Sequence, residues 1–337
     1  RKMNMLKKRN NKKLLLSIFT TFLVVVLMTG SVFAADWASF QKDNYNTGAT
    51  SDSVPTSTSA TIDSVDLPNH SWYGIDCTPL VISESGTEYA YVLTSTSSDV
   101  RAYKIKCSDQ SIPSGWTDGV VVDSDGGFHL STPAIDGTTM YVAVRESSVT
   151  KVKKVTGINT SSPSVSVIKT FSSSNEQPNT PIAYEDGYIY LGTWIDGGTG
   201  KYYKINVSTG ATDTFTPASG NGFYWAGAAL IDGSSGTDFV VFGGDDSKIY
   251  VRDRSDLSSV NTYTIKGSGQ GQETGAAEIR SAICYNISDN EIYFTDKGGY
   301  VWCLEINTVT GALTYKWNAD IGTSTSTPSY VDGKVYV

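Results

Sequence analysis

The sequence predicts an all-β protein, a β-propeller of four-stranded antiparallel blades. Three observations carry that expectation. A segment reading turn, Pro, apolar strand, Asp-Gly turn and aromatic-rich strand returns about every fifty residues. The second strand of each copy is apolar on both faces, and there is almost no helical pattern. Repeats of this length, each with several short strands, are the mark of propeller blades.

The copies open at Thr78-Pro79-Leu80, Ser131-Thr132-Pro133-Ala134, Asn179-Thr180-Pro181-Ile182, Gly227-Ala228-Ala229-Leu230, Arg280-Ser281-Ala282-Ile283 and Ser326-Thr327-Pro328-Ser329. The sixth ends at Val337 after its second strand, so the reading is five full repeats and a truncated sixth, with the ring incomplete in this chain. The sequence reads as the N-terminal part of a longer exported protein. In the third copy the expected strands are Pro181 to Tyr184, Tyr188 to Trp194, Lys201 to Val207 and Ala211 to Pro217.

Between first and second strands, Asp136-Gly137, Asp186-Gly187, Asp232-Gly233 and Asp332-Gly333 supply the positive φ of a tight hairpin. Asp289-Asn290 substitutes in the fifth copy and Ser85-Gly86 in the first. Second strands such as Tyr188-Ile189-Tyr190-Leu191 and Phe239-Val240-Val241-Phe242 do not alternate with polar residues. A sheet covered on both sides requires this, as in a blade wedged between two others. Third strands keep the same register at Ala102, Val152, Tyr202, Val251 and Cys303, again about fifty residues apart.

Residues 1–34 read as a secretory signal peptide: a basic start, an apolar run from Leu14 to Met28, and small residues at Val32-Phe33-Ala34. The run is shorter than the roughly 20 residues of a membrane span, so no stable membrane insertion is expected after cleavage. The chain has 26 basic and 34 acidic residues, and loss of seven leader cations leaves a net charge near −15. Such a surface disfavours nucleic acid and anionic lipid. The expected location is secreted or cell-surface. Residues 35–68 form an N-terminal segment, strand-like from Thr61 to Leu67, and residues 69–337 the repeats.

Export permits disulfides among Cys77, Cys107, Cys284 and Cys303. Cys284 and Cys303 fall in first and third strands, however, and two strand spacings make roughly 9 to 10 Å, beyond the roughly 7 Å a disulfide spans. Cys77 and Cys107 face a similar gap. Mostly free, buried thiols are expected. Sequons stand at Asn69, Asn159, Asn206 and Asn286.

Several motifs resemble the PQQ-like propeller repeats, the quinoprotein alcohol dehydrogenase-like family shared by quinoprotein dehydrogenases, an outer-membrane assembly lipoprotein and many exported bacterial and archaeal proteins. Ser326-Thr327-Pro328 with Asp332-Gly333 and Tyr336-Val337 is similar to the family's first hairpin. Tyr300-Val301-Trp302-Cys303-Leu304-Glu305, Thr310-Gly311 and Trp317 resemble its third strand, turn and docking Trp. Trp37-Ala38-Ser39-Phe40, Asp43 and Asn46-Thr47-Gly48 resemble the N-terminal signature of exported members. The docking Trp is clear only in the fifth copy, so other aromatics should hold the blades together. The resemblance implies an N-terminal strand that completes the last blade.

Catalytic chemistry is sparse. With only His70 and His129, a multi-His zinc site is excluded and a Ser-His-Asp triad barely possible. Gly267 to Gly275 lacks the Lys-Ser or Lys-Thr of a phosphate loop. Asp123-Ser124-Asp125-Gly126-Gly127 and Gly243-Gly244-Asp245-Asp246 look like pieces of calcium loops but carry no later Glu, and turn chemistry accounts for them. The family's quinone requires calcium, a catalytic Asp, a complete eight-bladed ring and, in many members, an adjacent Cys pair. No Cys-Cys dipeptide occurs here, and neither quinone nor calcium is expected.

The residues just before each inner strand should ring one mouth of the central channel: Asp76, His129, Gln177, Trp225 and Arg280. These groups suit a sugar or peptide held by stacking and hydrogen bonds. The leading functional reading is an exported or cell-surface scaffold that binds protein or cell-wall partners without catalysis. The alternatives are a carbohydrate-binding or carbohydrate-cleaving propeller, with Asp76 opposite Glu176 or Glu278 as its carboxylates, and a quinoprotein oxidoreductase.

Overall fold

The computed structural model describes residues 36–50, 64–68, 75, 77–125, 131–146, 149–172, 175–265 and 277–337. The leader expected over residues 1–34 lies outside them. Among the described residues there is no helix, and every strand pair is antiparallel.

The first blade is β1 (Leu80–Glu84), β2 (Thr87–Ser95), β3 (Val100–Lys106) and β4 (Val120–Asp123). The second is β5 (Ala134–Asp136), β6 (Thr139–Glu146), β7 (Val149–Thr156) and β8 (Ser164–Thr170). The third adds a two-residue strand, β9 (Gln177–Pro178), to β10 (Ala183–Glu185), β11 (Tyr188–Trp194), β12 (Tyr202–Asn206) and β13 (Thr212–Phe215). The fourth is β14 (Ala229–Ile231), β15 (Phe239–Gly243), β16 (Lys248–Asp253) and β17 (Ser259–Thr264). The fifth is β18 (Cys284–Asn286), β19 (Glu291–Thr295), β20 (Tyr300–Ile306) and β21 (Leu313–Asp320), and the sixth is the hairpin β22 (Ser329–Val331) and β23 (Lys334–Tyr336).

Paired positive φ values at Ser85-Gly86, Asp186-Gly187 and Asp332-Gly333 make the short first hairpins. The fourth copy departs from the expected tight turn at Asp232-Gly233. Its loop runs from Asp232 to Asp238, with the left-handed residue at Gly236. The Ser234 amide donates to the Thr308 carbonyl of the next blade at 2.8 Å, so the longer loop is tied sideways.

Each second strand divides its side chains between two interfaces, because alternate residues point to opposite faces. In β6, Met140, Val142 and Val144 pack on the first blade while Tyr141 and Ala143 pack on the third. In β15, Val240 and Phe242 face the third blade and Phe239 and Val241 the fifth. In β19, Ile292 and Phe294 face the fourth while Tyr293 lies with Cys284 and Cys303 against Tyr330 and Val335 of the sixth. The double-sided apolarity therefore builds five successive inter-blade cores.

Aromatic pairs staple those cores. Tyr202 stacks on Phe242 with centroids 3.7 Å apart, Tyr141 on Tyr184 at 4.9 Å, and Tyr293 on Tyr330 at 5.5 Å. Trp317 leans on Tyr293 at 6.0 Å and stays partly exposed. No disulfide joins the cysteines, and Cys284 and Cys303 are fully buried on strands either side of Tyr293.

The inner edge of each blade presents backbone amides toward the axis, and a buried amide without a partner is costly. The N-terminal segment satisfies one such amide in five of the six repeats. Amides at one register position, Val81, Ile135, Leu230, Tyr285 and Tyr330, donate to the carbonyls of Trp37, Ala38, Asn44, Tyr45 and Thr47 at 2.8 to 3.3 Å. In the third blade the Glu185 carboxylate bonds the Asn44 side chain instead. The segment thus touches the innermost strand of all six repeats.

Its shape comes from Asp43. One carboxylate oxygen accepts the amides of Tyr45 and Thr47, both at 3.1 Å, and the other accepts the Thr47 hydroxyl at 2.6 Å. Gly48 takes φ +61, and a Cβ there would lie 2.5 Å from the Ser329 hydroxyl. Further on, residues 64–67 form no strand. Val65 and Leu67 pack on Val92, Tyr103 and Ile105, on the face of the first blade turned away from the second.

Candidate functional site

The six repeats converge on one cavity of about 380 Å³, lined by Ile75, Cys77, Thr78, Thr132, Pro181, Trp225, Arg280, Thr325 and Thr327, with Phe40 of the N-terminal segment. Every repeat contributes through the turn that opens its inner strand. The repeated Ser/Thr at these turns has a bonding role. The Thr132 hydroxyl accepts the Thr78 amide at 3.2 Å, and that of Thr327 accepts the Ala282 amide at 2.9 Å, each bridging adjacent blades. Ser131 donates across the next junction to the Thr180 carbonyl at 3.0 Å.

Of the five residues expected at the mouth, Trp225 and Arg280 line the cavity. Gln177 is not among its lining. Backbone pairing in β9 holds it opposite Trp194. Asp76 and His129 lie outside the described residues, as does His70; Ile75 and Cys77, on either side of Asp76, line the cavity.

Trp225 and Arg280 belong to a connected aromatic and ionic cluster. Trp225 holds φ +61, an uncommon and strained conformation for a bulky residue. Its ring meets Tyr224 at 4.6 Å, and Tyr224 meets Trp194 edge-on at 5.3 Å. The Arg280 guanidinium lies 4.6 Å from the Tyr224 centroid, within cation–π range. Arg280 Nε and Nη2 donate to Asp245 at 3.2 and 3.3 Å, and Trp194 Nε1 donates to the same carboxylate at 2.8 Å. Glu278 lies 3.4 Å from Arg280 and also pairs with Lys297.

Burial pushes the Asp245 carboxyl above its usual value, although Arg280 and Trp194 pull the other way. Burial also raises Tyr224, with Arg280 opposing. Sequence reasoning missed Trp194, Tyr224 and Asp245, which stand on other strands and loops. Asp245 had looked like part of a cation loop, but its oxygens are taken by Arg280 and Trp194.

Among the described residues, the other carboxylates singled out in the sequence also have partners. Glu176 is buried, its Oε2 accepting the Tyr203 hydroxyl at 2.7 Å, which removes it from any pair across the mouth. Asp246 accepts Lys248 and Tyr250, and Asp123 accepts the Asp125 amide at 3.1 Å. Among the described residues no three His, Cys, Asp or Glu side chains stand close enough to hold a metal.

No protein-family model and no curated protein matches this sequence. Solved structures do. The quinohemoprotein alcohol dehydrogenase ADHIIG from Pseudomonas putida HK5 superposes with a TM-score of 0.53 at 13% identity, over 85% of this chain and 48% of that one. A europium-containing methanol dehydrogenase gives 0.53 at 9% identity, over 83% and 57%. BamB from Moraxella catarrhalis gives 0.44 at 16% identity, over 70% of each. The chain spans about half the length of the two dehydrogenases. Its sequential four-stranded sheets and the cavity where they meet make it a β-propeller of the architecture found in the quinoprotein alcohol dehydrogenases.

Proposed function

We propose that this chain is an exported or cell-surface propeller that works as a non-catalytic scaffold, holding a protein or cell-wall partner at its channel mouth. The observation that carries this reading is the cavity itself. Residues of all six repeats, four threonines, Trp225 and Arg280 among them, line one space of about 380 Å³, at the small end of the roughly 300 to 1,000 Å³ usual for ligand sites. The leader sequence supports export.

The calcium that accompanies the quinone in quinoprotein dehydrogenases is not favoured by the described lining. A hard cation favours several oxygen ligands, carboxylates foremost, and among the described residues the lining offers hydroxyls but no carboxylate; its one charged side chain there is a cation, Arg280. The scaffold reading is tested with the chain immobilised over cell-wall glycans and envelope peptides. Retention is expected to vanish in the Trp225→Ala, Arg280→Ala double variant while the melting temperature holds. Unchanged retention would remove the reading. Dye-linked alcohol oxidation after addition of quinone and calcium would replace it with the oxidoreductase.

A further inference from the structure

We infer that the mouth recognises an uncharged pyranose at the end of a glycan. The inference rests on the reading above, that this mouth is a binding site, and names the ligand class it takes. Three features converge on that class: a fixed aromatic face, donors held in place, and charges that cancel locally.

The indole of Trp225 lines the cavity and is backed by Tyr224, which in turn contacts Trp194 and Arg280. Asp245 closes the circuit by accepting from both Trp194 and Arg280. A platform fixed on several sides loses little freedom when a ligand lands on it, and the C–H face of a pyranose is an apolar surface suited to an aromatic ring. The positive φ of Trp225 belongs to the same device: a strained bulky residue persists only where its surroundings over-determine it, and such residues cluster at ligand clamps.

The donors come from hydroxyls and guanidinium. Thr132 and Thr327 each accept a backbone amide, which leaves their own O–H free to donate. Thr78 and Thr325 add two more hydroxyls to the lining. Arg280 spends Nε and Nη2 on Asp245, and its Nη1 meets no acceptor among the described residues. Sugar hydroxyls both accept and donate, so they match a lining rich in hydroxyls. Phe40 contributes to the same lining from the N-terminal segment, which bonds along the inner strands. A terminal sugar therefore suits the cavity better than a threaded chain.

Charge decides against an acidic sugar or a peptide terminus. Arg280 is balanced by Asp245, and Lys297 by Glu278. Among the described residues the rim thus has no uncompensated cation for a carboxylate and no uncompensated carboxylate for an ammonium group. The acidic surface expected after loss of the leader repels anions further.

The test is ligand-observed NMR with the whole exported chain and methyl glycosides of glucose, galactose, mannose, N-acetylglucosamine and glucuronic acid, beside a free-acid tripeptide. At least one neutral glycoside should bind through its ring protons, with glucuronate about tenfold weaker or worse. Trp225→Ala should abolish the signal, and Trp225→Phe, which keeps an aromatic face, should restore much of it. Equal or tighter binding of glucuronate, or binding of the tripeptide alone, overturns the inference. Binding of no neutral glycoside, while wall or peptide retention still depends on Trp225 and Arg280, overturns the sugar but leaves the binding mouth standing. Retention indifferent to both residues removes both readings.

Discussion

Asn46 and Ala228, separated by most of four repeats, are joined by a hydrogen bond of 2.9 Å from the Asn46 side-chain amide to the Ala228 carbonyl. The same nitrogen donates at 2.9 Å to the carbonyl of Ile283 in the next blade. One buried amide thus bridges the fourth and fifth inner strands. Asn46→Ala leaves both carbonyls without this donor in a site closed to water. The expected cost is about 1 to 3 kcal/mol, read as a lower denaturant midpoint; an unchanged midpoint would mean that the N-terminal segment does not hold the blades.

Phe242 tests the aromatic staples. It stacks on Tyr202 at 3.7 Å and meets Phe223 edge-on at 5.3 Å, with no solvent exposure. Phe242→Ala should destabilise the fold by about 3 to 5 kcal/mol, and Phe242→Leu by distinctly less. Equilibrium unfolding of both variants checks the ranking.

Burial pushes the thiols of Cys284 and Cys303 up to about 12. Since the thiolate is the reactive form, both should resist a thiol reagent at pH 8 in the native protein and react once it is unfolded. Rapid native labelling at either position, read by mass spectrometry, would contradict the packing of the fifth blade on the sixth.

Asp245 should give the mouth a pH dependence. Its folded-state pKa lies above the ordinary carboxylate value, so the native protein takes up this proton at a pH where the unfolded chain has not. In that window acidification favours the folded state through Asp245, yet neutralises the acceptor that positions Arg280. Glu278 and Tyr224 face the same guanidinium. Ligand retention should therefore weaken on acidification before the ordinary Asp range is reached, with no fall in melting temperature assignable to this group. Asp245→Asn should bind more weakly at neutral pH and show a flatter profile; a profile unchanged from the parent would exclude this role.

The fold was legible because its signals are local. Ser85-Gly86 and Asp186-Gly187 declare hairpins within two residues, and the unbroken apolarity of Phe239 to Phe242 declares two covered faces. At the site, Trp225 and Arg280 could be placed because each stands just before an inner strand. Gln177 could not, since whether β9 would pair with the end of β11 depends on tertiary context. Nothing in the local pattern revealed that Thr132 and Thr327 bridge blades, or that Asp245 holds Arg280. Those bonds join residues on different repeats and leave no period in the sequence. The motif around Trp37, Asp43 and Asn46 was visible as a signature, but its purpose emerged only from the amides it satisfies.

That N-terminal segment also constrains how the molecule assembles. A stack of repeats that touch only their neighbours can grow or melt one unit at a time. Here the stretch synthesised ahead of every repeat finds a partner as late as Tyr330 of the sixth. Closing so long a loop is entropically costly and slow. The early blades must wait for the late ones before the N-terminal segment is fully seated, so unfolding should be a single concerted transition in place of stepwise peeling.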